Sequence, residues 1–118
     1  MKAPEPGYYN RRGERITASE ATILLGDDRI VERTRLELDD DVVTVSTVHL
    51  VFDHQLERGG PPLIFETMLF GIAGQEPRWR CSTEEEARLG HGSVVEMLRS
   101  SGVTGLLASR GPDYPEPA

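Results

Sequence analysis

At 118 residues the chain has the length of one domain, and a fold of this size buries about 60–70% of the surface that its unfolded chain exposes. Its 13 Lys+Arg against 20 Asp+Glu leave a net charge of −7, which disfavours direct nucleic-acid binding, because displacing counterions from phosphates takes clustered Lys and Arg. A single Cys excludes an internal disulfide, a CxxC redox pair and a Cys-rich zinc module. No run reaches the ~18 apolar residues of a membrane span. The opening MKAPEPGYYN lacks the apolar stretch of a secretory signal. A cytoplasmic protein without a membrane partner is expected.

In chain order, residues 1–7 are rich in Pro and Gly and read as a loose N-terminus. Tyr8-Tyr9 and Glu14 to Ile16 read as the arms of a short hairpin around Asn10-Arg11-Arg12-Gly13. Thr17-Ala18-Ser19-Glu20 is a T-x-x-E capping box and opens a short helix over about 18–25, ended by Gly26. Arg33 to Leu38 alternates, with Thr34, Leu36 and Leu38 on one face and charged residues on the other, which predicts a strand with one wet face.

Asp39-Asp40-Asp41 is the turn, and Val42 to Phe52 is the longest β signal, apolar on both faces, so a central strand is expected. Gln55 to Pro62 reads as a loop, and it has no Lys and helix after it to make a phosphate loop. Leu63 to Phe70 and Arg78 to Cys81 are further strands, separated by a turn. Ser82-Thr83-Glu84-Glu85-Glu86 caps the strongest helix, whose buried stripe is Ala87, His91, Val94, Val95 and Leu98 and whose end is expected near Ser100–Gly102. Residues 101–118 read as a flexible tail with at most a local contact through Leu106-Leu107. The fold class is therefore α+β: one domain over 8–100, a small antiparallel sheet of three to five strands with a C-terminal amphipathic helix packed on it, and a short N-terminal helix.

The segments Ser46-Thr47-Val48, Asp53-His54, Pro61 to Met68, Phe70-Gly71 and Ser82 to Ala87 with Gly90-His91 follow the pattern STV-x-L-x-x-DH, PPLIFETM-x-FG and ST-EEEA-x-x-GH. This pattern resembles small uncharacterised proteins of actinobacteriophages and actinobacteria. The chain departs from it at His49, where Trp is frequent, and at Cys81, where an aromatic is usual. The resemblance implies a phage or prophage setting and an accessory role, and carries no activity with it.

Candidate site residues are the lone polar groups in apolar surroundings. His54 and Asp53 follow the long strand, Glu66 interrupts the apolar run LIFETMLF, and His91 lies on the helix stripe. Were they to converge, His54, Glu66 and His91 would form the two-His, one-carboxylate set that suits zinc or iron. The plainer alternatives are a turn cap at Asp53-His54, a Glu66 that faces solvent or pairs with Arg78 or Arg80, and a core imidazole at His91 bonded to a carboxylate, with Glu66 the nearest candidate. Trp79, between Arg78 and Arg80, could stack a ligand or fill the core. Cys81 reads as a small buried residue. No motif implies a cofactor, and no nucleophile signature points to catalysis.

The function expected is a non-catalytic binding module for a protein partner or a small-molecule ligand. The alternatives are a phage structural or assembly protein, or an acid–base or metal-dependent enzyme on His54, Glu66 and His91. Exposed strand edges favour a homodimer.

Overall fold

The computed structural model describes residues 7–39, 41–55 and 60–109. The expectations for residues 1–6, for the middle of the Asp turn, for 56–59 and for 110–118 fall outside the described residues.

The elements are β1 (Tyr8–Tyr9), β2 (Arg15–Ile16), α1 (Ala18–Gly26), β3 (Ile30–Leu38), β4 (Asp41–His49), β5 (Phe65–Phe70), β6 (Arg78–Cys81) and α2 (Glu84–Ala108). The α+β class stands as expected. A four-stranded antiparallel sheet in the order β3-β4-β5-β6 carries α2 on one face, and β1 and β2 form a separate hairpin. Both helices start where local chemistry dictates. Thr17 and Thr83 each accept a hydrogen bond from the backbone N–H three residues on, and Glu20 and Glu86 reach back to the capping residue.

In the sheet, Leu36, Val43, Val45, Phe65, Leu69 and Cys81 turn to α2 and are buried. Ala87, His91, Val94 and Leu98 meet them from the helix, as the three–four spacing predicts. Two apolar clusters result. Leu36, Val43, Val45, Leu69, Val94, Leu98 and Leu106 form the larger, and Ile64, Phe65, Cys81 and Ala87 the smaller. Between them sits a polar residue on each of three elements: Thr47 on β4, Thr67 on β5 and His91 on α2.

Three local features depart from expectation. The domain does not stop at residue 100. The helix kinks at Gly102, whose φ of 67° suits glycine, and then resumes, so that Leu106 enters the larger core cluster. The sequence around Gly102 shows only a helix breaker; the residues after it are helical because Leu106 finds an apolar site. Gly7, expected within the loose N-terminus, is tied to the fold, because its carbonyl accepts from the Asp53 N–H. Third, β4 ends at His49 rather than Phe52. Val51 adopts φ 75°, rare and costly for a β-branched residue. That turn swings the chain so that Tyr9 N–H donates to the Val51 carbonyl and Tyr8 bridges Phe52. Gly71, at the end of β5, has φ 105° and no room for a side chain, since a Cβ there would lie 2.4 Å from the Val42 carbonyl oxygen.

Candidate functional site

The sheet divides the candidate residues between its two faces. Under α2, the His91 imidazole is fully buried and bonded at both nitrogens: Nδ1 to Thr47 Oγ1 at 2.8 Å, and Nε2 to Thr34 Oγ1 at 2.8 Å with Glu32 Oε2 at 3.3 Å. Thr47 Oγ1 lies 2.7 Å from Thr67 Oγ1. Burial lowers the pKa of His91, and Glu32 opposes it only partly because that carboxylate is itself 42% exposed and shielded by water. The ring is therefore neutral at pH 7. With its proton on Nε2 it donates toward Thr34 and Glu32, accepts from the Thr47 hydroxyl at Nδ1, and leaves Thr47 to accept from Thr67, which satisfies every member.

Carboxylate, imidazole and hydroxyl in a row resemble a nucleophile relay, but Thr47 has no exposed surface and its hydroxyl is engaged on both sides. No substrate reaches it. The network is a strut between the two apolar clusters.

Glu66 is on the other face. It pairs with Val48 and Arg80 across the strands, and its Oε2 accepts from Arg80 Nε at 2.9 Å. The expected contact between Glu66 and His91 is thus corrected: the sheet separates them, and the carboxylate beside His91 is Glu32. His54, Glu66 and His91 do not converge, and among the described residues no group of three or more His, Cys, Asp or Glu is placed to hold a metal. Trp79 is partly buried and packs on the larger core cluster, on the opposite face from Arg78 and Arg80.

His54 lies within electrostatic reach of Arg80, Glu66 and Asp53, and its ring stacks on Phe52 with centroids 4.4 Å apart. The edge of Tyr8 meets Phe52 in turn. Burial and then Arg80 lower the His54 pKa, against Glu66 and Asp53. Asp53 is a turn cap: its Oδ1 accepts from the N–H groups of Gln55 and Leu63.

The remainder of this open face exposes apolar side chains toward its two ends and is basic at its sides. Ile30, Val42, Phe52 and Phe70 are each more than a third exposed. Arg33, Arg35, Arg78 and Arg80 share the face with Glu37 and Glu66, four cations against two anions on a chain that is acidic as a whole. Sequence reading missed this surface because alternation shows which residues share a face, not which face a helix will cover.

His49 is also informative. It is buried beside Phe65 and is the one described residue with a buried side-chain polar atom, Nε2, lacking a partner. Burial and then Arg11 lower its pKa, with Tyr9 opposing. All three histidines are thus held neutral. Below about pH 6.5 the unfolded chain binds protons that the fold refuses, so stability falls as pH falls through that value. The urea midpoint should be lower at pH 5.5 than at pH 7.5, above the range in which the glutamates titrate. A flat profile would show that the imidazoles accept protons within the fold.

No family model, no curated protein and no solved structure matches the chain. No helix among the described residues is long and apolar enough to cross a membrane.

Proposed function

We propose that the chain is a non-catalytic binding module whose open sheet face takes a protein partner carrying carboxylates beside apolar side chains. The observation that carries this reading is the composition of that face: Val42 and Phe70 exposed at the end where β3 turns into β4, with Arg33 and Arg35 along one side and Arg78 and Arg80 along the other. An exposed apolar surface rimmed by charge is typical of an interaction site. The excess of arginine there, on a chain of net charge −7, favours an acidic partner. A small-molecule ligand is less well served. The depression between the end of β3 and the kink of α2, about 460 Å³, is open, and Glu37, Asp39, Arg99 and Ser100 line it beside Leu38 and Leu98, a wall more polar than a small-molecule site usually has. The resemblance to phage proteins supports an accessory role in an infected cell, where such a module would interfere with a host process or defence.

The test is selection from a random peptide display library on the immobilised protein. Enrichment of sequences that combine Asp or Glu with apolar residues, lost on Phe70→Ser and on Arg78→Glu, is the expected result. Both positions are exposed, so the fold should survive. Enrichment of basic peptides, or enrichment indifferent to both substitutions, would overturn the reading.

A further inference from the structure

The outer edge of β3 is unpaired by any described segment, and it runs for nine residues, against four for β6 at the opposite edge. A long bare edge is a template for another strand unless it is blocked. Its backbone is oriented to pair. The Leu50 N–H donates to the Ile64 carbonyl, in register with Val48↔Glu66 and Ser46↔Met68. Even-numbered positions of β4 therefore turn their backbone groups to β5, and odd-numbered ones to β3. Val43 and Val45 meet Leu36 and Thr34. The backbone groups of Arg33, Arg35 and Glu37 consequently point outward, and these three residues are exposed.

The side chains on that edge decide the partner. Along the open face β3 reads Arg33, Arg35, Glu37, with Leu36 between the last two and Asp39 just beyond the strand. Charge is positive before Leu36 and negative after it. An antiparallel copy centred on Leu36 sets Arg35 opposite Glu37 of the second strand and Glu37 opposite its Arg35, and brings Arg33 to the acidic end at Asp39. The parity agrees as well, since Arg35 and Glu37 are both outward-facing positions. Shifting the centre to Thr34 would set Arg33 against Arg35, and shifting it to Arg35 would set Arg35 against itself.

We infer that two copies of this chain pair antiparallel through β3 about a two-fold axis at Leu36, joining their sheets into one of eight strands. The same operation leaves both α2 helices on one side and the two open faces continuous on the other. A single strand edge is a small contact, so a dissociation constant near the micromolar range is expected.

Sedimentation equilibrium of the full chain from micromolar to millimolar concentration tests this. The wild type should pass from monomer to dimer. Arg35→Glu and Glu37→Arg each turn two attractive cross-strand pairs into repulsive ones and should weaken the dimer about tenfold or more. The double variant Arg35→Glu/Glu37→Arg restores every pair and should return the constant to within about threefold of wild type. Both side chains are more than half exposed, so the monomer fold should be unchanged by circular dichroism. A monomer at every concentration overturns the inference. So does a dimer that ignores the single reversals, or one that the double reversal does not restore. A dimer weakened by Phe70→Ser but not by Arg35→Glu would pair through its open faces instead, which also overturns it.

Discussion

A chain ending at Ser101 should unfold at a clearly lower urea concentration than the full chain. The segment after the kink places Leu106 in the larger core cluster with 1% of its surface exposed, and Val103 packs against the same cluster. Removing a buried leucine side chain costs about 2–5 kcal/mol, because the site is left partly empty. Leu106→Ala should show a loss in that range without shortening the chain. Leu107→Ala, at an exposed neighbouring position, should change stability by about 0.5 kcal/mol or less. Gly102→Ala should also destabilise, since φ 67° with ψ −175° is a backbone region essentially reserved to glycine and strains an L residue by about 1–3 kcal/mol. If truncation, Leu106→Ala and Gly102→Ala all leave the midpoint unmoved, the segment after Gly102 contributes nothing to the core.

His91→Ala is the second large effect, at about 2–4 kcal/mol. It empties a fully buried site and strips partners from Thr47 and Thr34 at once. Thr47→Val isolates the polar part of that loss. It keeps the shape but leaves His91 Nδ1 and Thr67 Oγ1 facing a methyl group, which should cost about 1–3 kcal/mol. Adding Thr67→Val removes one of the two orphans, so the double variant should cost less than the sum of the singles. Glu66 provides the contrast. Glu66 is buried, but its partner Arg80 is partly exposed and can turn to water, so Glu66→Ala should cost less than His91→Ala. His91 and Glu66 share no partner, and their effects should add within about 0.5 kcal/mol. Strong coupling between them would mean that the two lie on one face after all.

The correction at Glu66 shows where reading the residues stops. Alternation in LIFETMLF places Glu66 with Met68 and Phe70 on one side, and Phe65 with Thr67 and Leu69 on the other; the structure has the same division. Both sides carry apolar residues, however, and period two is silent on which of them a helix covers. Leu36, Val43 and Val45 settle it, because pairing through β4 places them on the side of Thr67 and Leu69. His91 thus meets Thr47 and Thr67, and Glu66 is left with Arg80. Of the proposed site residues, His54 lies within electrostatic reach of Glu66, His91 and Trp79 went to the covered face, and Asp53 became a turn cap.

What the chain determined by itself is local: the capping boxes at Thr17 and Thr83, the alternating strand of Arg33 to Leu38, the three–four stripe of α2, and the charge order along β3. Each depends on residues within a few positions of one another, where backbone geometry leaves little choice. The tertiary structure decided the rest. It chose the face that α2 covers, seated Leu106 beyond a glycine that reads as an end, held Val51 at a positive φ, and left the outer edge of β3 unpaired by any described segment. Those outcomes depend on contacts between segments far apart in sequence, whose free energies compare whole arrangements of the chain rather than neighbouring residues.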